Sequence, residues 1–354
     1  AQGLTIQKIA FGSCSHEDKK QPLLSLAAKE SPDLFIYLGD NIYGDTEDIA
    51  ELMAKYRKLG NKPEFQELND STTVLATWDD HDYGQDNSDS TYPYKEEAKR
   101  VFKESYPVYP FEVENGGIYY KFSIADVDVF VLDARWYRSP MQNEDTVEKK
   151  MLGYEQLDWL LNGLKESTST FKIVFSSTSL NDYGGDTSSG RTGYDSWMDY
   201  KFEREKILSF IKDNHIQGVL VFSGDQHYPS AHILNWDPPL KHISQLEKSI
   251  EYSLKDLGTS VFDFSASPLN YKRATGHPLI PENQDNHLYS YEIFRADWGM
   301  PKNTIEKVPQ VIGSVYGFAE VNTKSSPQTL SVKFFELDDE TSDMIELYQI
   351  KILY

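Results

Sequence analysis

The apolar positions of this chain fall into short runs that repeatedly end in polar clusters. Leu4–Phe11 reads as a buried strand, and residues 21–29 show helical spacing that Ser31-Pro32 terminates. Leu34–Leu38 is a second apolar strand, so the chain opens β-α-β, a unit whose parallel strands present their C-terminal ends on one sheet edge. Thr73–Thr77 predicts a third strand that runs straight into Trp78-Asp79-Asp80-His81-Asp82, followed by a helix over 95–105. Tyr119–Ile124 and Val127–Asp133 alternate as a hairpin would, and residues 155–164 form an amphipathic helical pattern before a strand at Lys172–Ser176. A helix over 200–214 leads into the run Gly218–Phe222, which ends at Ser223-Gly224-Asp225-Gln226-His227.

From 232 to about 310 the pattern breaks into proline, aromatic and polar residues around one clear strand, Val261–Phe264. A stretch of that length is expected to build a lid or pocket wall, with Trp236, Tyr271 and Trp298 as candidate stacking surfaces. Residues 314–354 alternate as several antiparallel strands would. The whole predicts a mixed α/β (α+β) fold: two packed mixed β-sheets flanked by helices, a four-layer sandwich forming a single domain over 1–354.

Composition narrows the partners. Lysine and arginine total 35 against 56 aspartate and glutamate, a formal charge of −21 that repels a nucleic-acid duplex or an anionic membrane surface. An anionic substrate therefore needs a local cation. The single cysteine excludes an intramolecular disulfide, and no apolar run reaches the length of a membrane span. The start Ala-Gln-Gly-Leu, without an initiator Met, suggests a processed end, hence a secreted or periplasmic protein with its signal peptide removed.

Four strand ends carry the chemistry: Cys14, Gly39-Asp40-Asn41-Ile42-Tyr43, Asp79-Asp80-His81-Asp82 and Gly224-Asp225-Gln226-His227. Parallel strands in one sheet would bring them together, and crowded carboxylates need cations because they repel and resist desolvation. One carboxylate, such as Asp40, can bridge two ions about 3.5–4 Å apart. Thiolate from Cys14 and phenolate from Tyr43 suit a strongly Lewis-acidic transition metal, whereas Asp40, Asp80 and Asn270 suit calcium or another hard ion. Each cluster also has a plain reading. A lone cysteine is usually a small core residue, Asp79 a helix cap, Asp40-Asn41 a turn, and Asp86-Asn87-Ser88-Asp89 a solvated loop. The four together, each at a strand end, favour the metal site.

This quartet resembles the calcineurin-like metallophosphoesterases in the variant form of their alkaline phosphatase D, or PhoD-like, branch. The wider pattern Asp-x-His, Gly-Asp-x-x-Asp, Gly-Asn-His-Glu/Asp and Gly-His-x-His becomes here Cys14-Ser15-His16, Gly39-Asp40-Asn41-Ile42-Tyr43, Asp79-Asp80-His81-Asp82 and Gly224-Asp225-Gln226-His227. The tract Leu132-Asp133-Ala134-Arg135-Trp136-Tyr137-Arg138 is similar to a segment of the same branch. No extra β-sandwich segment is expected ahead of the motifs and the last residues are expected to form strands rather than a capping helix, two expected departures from the namesake enzymes.

The resemblance implies a metallophosphoesterase sandwich that hydrolyses small phosphate esters, mono- or diester, with a metal-activated hydroxide. Cys14, Asp40, Tyr43 and Asp225 would hold Fe3+, and Asp40 and Asp80 would share Ca2+, with His227 and Asn270 as further candidate ligands. His81 would face the substrate as proton donor, Asp82 would orient it, and Arg135 or Arg138 would clamp a phosphate oxygen or else brace the hairpin beside it. The roles of Asp79 and His16 stay open. Competing readings are a phospholipase-D-like or nucleotide phosphodiesterase on the same scaffold, a non-catalytic calcium-dependent binding protein, and a glycoside hydrolase using Asp79 and Asp82.

Overall fold

A computed structural model describes residues 8–107, 111–124, 126–181, 195–234, 249–270, 290–295, 314–337 and 342–354. In chain order its strands are β1 (Lys8–Gly12), β2 (Leu34–Leu38), β3 (Thr73–Thr77), β4 (Tyr120–Ile124), β5 (Val127–Val131), β6 (Phe171–Ser176), β7 (Val219–Ser223), β8 (Ser230–Leu234), β9 (Ser249–Ser253), β10 (Val261–Ser265), β11 (Ser290–Arg295), β12 (Val315–Asn322), β13 (Thr329–Leu337) and β14 (Met344–Leu353). The helices are α1 (Pro22–Lys29), α2 (Ile49–Gly60), α3 (Pro63–Ser71), α4 (Asp80–Tyr83), α5 (Lys95–Ser105), α6 (Gly153–Glu166), α7 (Lys201–Asp213) and α8 (Leu254–Leu257).

The strands form two sheets in the orders β3-β2-β1-β12-β13-β14-β9 and β11-β8-β10-β7-β6-β5-β4. In the first, β1, β2 and β3 run parallel and β12 joins β1 antiparallel; in the second, β5, β6, β7 and β10 run parallel. Both sheets are mixed, as expected. The parallel strands read as continuous apolar runs because both faces of each sheet are covered. Phe11, Ile36, Phe175, Phe222, Phe264 and Val332 belong to the layer between the sheets. Leu23, Leu52, Leu68 and Phe102, from α1, α2, α3 and α5, pack on the outer face of the first sheet. Leu160, Leu164, Ile207 and Ile211, from α6 and α7, pack on the outer face of the second. The result is a helix-sheet-sheet-helix sandwich.

Most expected elements are present within a residue or two, and the 314–354 alternation corresponds to the antiparallel meander of β12, β13 and β14. The structure adds α2 and α3, which fill 44–72. Asp48 starts α2 by accepting from the amides of Ala50 (2.8 Å) and Glu51 (3.3 Å), and Pro63 occupies the first turn of α3. It also makes 230–234 a fully buried strand inserted between β10 and β11. The expected lid over 232–310 falls largely outside the described residues: 235–248, 271–289 and 296–313, with Trp236, Tyr271 and Trp298, are not described. No helix among the described residues is long and apolar enough to cross a membrane.

Phe222 is the centre of the inter-sheet layer. Its ring lies edge-on to Phe11 at 4.6 Å and also meets Phe264 at 5.4 Å and Phe175 at 5.5 Å. Phe222→Ala is expected to cost about 3–5 kcal/mol, read by urea unfolding. A loss below about 1 kcal/mol would mean that the sheets close over the void.

Candidate metal centre

The first sheet sends three loops to one place, and the second sends a fourth. Cys14 follows β1, residues 39–43 follow β2, residues 78–82 follow β3, and residues 224–227 follow β7. Backbone bonds lace them together. The amide of Cys14 donates to the carbonyl of Gly39 (3.3 Å) and that of Ser15 to Asp40 (2.7 Å). Across the sheets, the Ser13 amide donates to the Ala266 carbonyl (3.2 Å) and the Leu269 amide to the Ser13 carbonyl (2.8 Å). Gly224 permits this meeting: a Cβ there would stand 2.6 Å from the Leu38 carbonyl oxygen and 2.8 Å from Ser13 Cβ.

Three of these loops turn on residues in a left-handed conformation; the loop at 78–82 does not. Cys14 (φ 59°), Asp40 (φ 49°), Asp225 (φ 65°) and His227 (φ 58°) all adopt it, although none is glycine. Such backbone costs on the order of 1–3 kcal/mol per residue and persists only where the surroundings enforce it, a condition common at functional sites. Here the turn brings a ligand side chain into the cluster.

Ligand atoms of Cys14, Asp40 and His227 lie within 4.8 Å of one another; so do those of Asp40, Asp80 and His81, and those of Asp40, Asp79 and Asp225. Asp40 belongs to all three groups. Its Oδ2 stands 3.6 Å from the Cys14 sulfur. The ring of Tyr43 lies between those of His16 (5.2 Å) and His81 (4.4 Å). Of the residues expected from the sequence, Cys14, Asp40, Tyr43, Asp80, Asp225 and His227 are therefore gathered at one point.

The electrostatics of that point fit bound cations. Burial, reinforced by the Asp225 carboxylate, pushes the Cys14 thiol up to about 12. Burial likewise raises Asp40 and Asp225 well above the usual carboxylate range, with neighbouring acidic groups adding to it. Asp40 Oδ1 and Asp79 Oδ2 are buried and have no hydrogen-bond partner among the described residues. Native proteins seldom leave a carboxylate oxygen in that condition, and a metal ion satisfies it. The donor set is mixed. Cys14 and His227 group with Asp40, while Asp80 with His81 and Asp79 with Asp225 form separate groups around the same carboxylate, a mixed set of soft and hard donors of the kind that suits unlike metal ions.

Three expected roles need correction. Arg135 does not reach out to a substrate: its guanidinium is fully buried, its Nε donates to Asp79, and its two terminal nitrogens hold Asp195 at 3.1 and 3.0 Å. Arg138 also binds Asp195, and Arg135 Nη2 stands 3.4 Å from Asp80. Burial works against the charge on Asp80, but Arg135 and His81 outweigh it and hold that carboxyl below the usual range. Arg135 thus braces the ligands. Asp82 does not touch His81: its carboxylate accepts from the amides of Asn41 (3.0 Å), Ile42 (3.3 Å) and Asp79 (3.0 Å) and from the Tyr56 hydroxyl (2.9 Å). A buried carboxylate committed to backbone amides anchors loops, and this also removes Asp79 and Asp82 as a glycosidase pair. Asn270 spends both amide atoms on the Cys14 loop, accepting from the His16 amide (2.5 Å) and donating to the carbonyls of His16 (3.1 Å) and Lys20 (3.0 Å). Its amide is a clasp for that loop.

His81 sits at the rim, with its Nδ1 2.6 Å from Asp45 Oδ1. Asp45 and Asp195 were not legible in the sequence, since neither lies in a motif. The bracing role of Arg135 has a direct test. Arg135→Leu leaves the buried Asp79 without its cation and Asp195 with Arg138 alone, and should cost about 3–5 kcal/mol in chemical denaturation. A variant of unchanged stability and raised KM would instead restore the substrate clamp.

A family model for PhoD-like phosphatases matches residues 9–292. Alkaline phosphatase D of Bacillus subtilis (strain 168) is 27% identical over 336 aligned residues, covering 81% of this chain and 55% of that protein. The chain thus spans about half the length of that relative. The structure of PhoD superposes with a TM-score of 0.70 at 19% identity, over 99% of this chain and 70% of that one. Purple acid phosphatase PPD1 from yellow lupin (Lupinus luteus) seeds gives 0.58 at 11% identity, over 99% of this chain and 54% of that one. A dimetal phosphatase from Danio rerio gives 0.50 at 11%, over 98% and 99% respectively. These structural likenesses concern the fold; the family match, which spans most of the sequence, concerns descent, and by it the chain belongs to the PhoD-like phosphatase family.

Proposed function

We propose that this chain hydrolyses phosphate esters at the Asp40 centre. The observation that carries the reading is that Asp40 is shared by three groups of potential ligands while its Oδ1 lacks a hydrogen-bond partner among the described residues. Cys14, Tyr43, His227 and Asp225 would hold a transition-metal ion together with Asp40, with iron as the reading their donor chemistry supports. Asp80, with Asp40 and Asp79, would hold calcium or a similar hard ion. Bound there, the ions supply Lewis acidity that offsets the carboxylates, neutralises phosphoryl charge and makes a water acidic enough to attack near neutral pH.

The chain's own residues do the rest. Arg135 and the Ser177 hydroxyl, 2.9 Å from Asp79 Oδ1, keep Asp79 aligned. Asp82 pins the loop that carries Asp40. His81 transfers a proton to the leaving oxygen, which departs with the electron pair of the broken P–O bond; such general acids contribute about 10²–10⁴ in rate. Burial would lower the His81 pKa, but Asp80, Asp40 and Asp45 overcome it and push it up to about 11. Both sheets supply ligand loops, which supports treating 1–354 as one catalytic unit. Export belongs to the same reading and rests on the acidic composition, with its formal charge of −21.

Asp40→Asn is the deciding variant. Even outer partners of metal ligands are worth about 10–100-fold, so loss of the shared ligand should reduce hydrolysis of nitrophenyl phosphate and bis-nitrophenyl phosphate at least a hundredfold. The same two substrates rank monoester against diester, the point on which a phosphodiesterase differs from a phosphatase. Elemental analysis of purified protein is expected to show iron and calcium, both diminished in the variant. Calcium without hydrolysis would favour a binding protein, and zinc alone would overturn the ligand assignment.

A further inference from the structure

The His81 ring is held by a loop outside every motif. From α2, Lys55 Nζ donates to the carbonyls of Tyr43 (2.8 Å) and Gly44 (2.9 Å). The amide of Gly44 then donates to the His81 carbonyl at 2.9 Å. A side chain at Gly44 is excluded, because a Cβ would stand 2.6 Å from that same carbonyl oxygen. One residue further on, Asp45 adopts a left-handed conformation (φ 47°) and brings Oδ1 to 2.6 Å from His81 Nδ1. Beyond it the loop is tied again, by Tyr92 Oη donating to the Thr46 carbonyl (3.1 Å) and by the Asp48 amide donating to Thr46 Oγ1 (3.0 Å). Residues 44 and 45 therefore grip residue 81 at two points, backbone to backbone and carboxylate to ring.

We propose that Asp45 is the positioning residue for His81: its carboxylate accepts the Nδ1 proton and fixes the ring so that Nε2 is the nitrogen presented to the substrate. Nε2 stands 3.9 Å from Asp86 Oδ1, beyond hydrogen-bond reach. The Asp45 side chain is 42% exposed. A surface ion pair of that exposure adds little stability, so its removal alters ring orientation far more than folding. The flanking ties at Tyr43, Gly44 and Thr46 survive that removal, because they involve no atom of the Asp45 side chain.

The proposal rests on the phosphoesterase reading for its catalytic consequence, and two measurements separate the two. The first compares the metal-loaded parent, Asp45→Asn, His81→Ala and the double variant on nitrophenyl phosphate and on an alkyl phosphate, whose leaving oxygen depends more on a proton donor. Asp45→Asn is expected to lower kcat on the alkyl ester by about 10–100-fold, to affect the nitrophenyl ester much less, to leave both KM values unchanged, and to cause no further loss when His81 is alanine. Equal losses on both esters, or losses that multiply with His81→Ala, would overturn it. The second measurement requires no turnover: nitrogen NMR of protein labelled in histidine. Asp45→Asn should shift the His81 Nδ1 resonance and speed exchange of its proton. Unchanged His81 resonances would refute the positioning role even in an active enzyme, and a parent inactive on both esters would refute the phosphatase reading while the resonances still decide this one.

Discussion

Mutual repulsion among buried acids governs the organisation of this protein. Asp40, Asp79, Asp80 and Asp225 occupy one small volume beside the thiol of Cys14. In water such groups ionise independently, but here desolvation and like charge oppose ionisation. The fold tolerates them only by providing compensation, and it does so unequally. Arg135 serves Asp79 and Asp80 from within the protein, whereas Asp40 Oδ1 and Asp79 Oδ2 have no hydrogen-bond partner among the described residues.

The scaffold follows from that demand. A cluster so unfavourable must be assembled by rigid parts, and four strands of two buried sheets supply them. The local cost is visible at the strand ends, where Cys14, Asp40, Asp225 and His227 all take left-handed backbone. The offsetting terms are the aromatic layer around Phe222, the amide hydrogen bonds gathered by Asp82 and the ion pairs of the buried Arg135 and Arg138 with Asp195. Each lies just behind the ligands, so stability and site geometry depend on the same side chains.

A gradient runs outward from the centre. Ligands bound to backbone and to buried arginines have little freedom, while His81 on the rim is held by the loop at Gly44 and Asp45. That division suits the proposed reaction, in which a charged phosphoryl group would meet fixed partners while His81 delivers a proton.

The sequence by itself determined most of the strands outside 230–295 and marked the candidate site positions. Apolar runs such as Leu34–Leu38 and Thr73–Thr77 are short, buried on both faces and bounded by polar residues, so local composition settles their extent. Strand ends rich in Asp, Cys and His then mark the site, because parallel strands place their ends along one edge. Helices α2 and α3 were less legible: their polar faces dilute the periodicity, and their starts depend on a cap at Asp48 and a proline at 63. What only the tertiary structure decided is which neighbour each polar group meets. Asp82 adjoins His81 in the chain yet turns beneath the loops, Asp45 reaches the ring from 36 residues away, and Asp195 meets Arg135 across 60. Hydrogen bonds and ion pairs are made across space at about 3 Å, and sequence distance carries no record of that space until the sheets have packed.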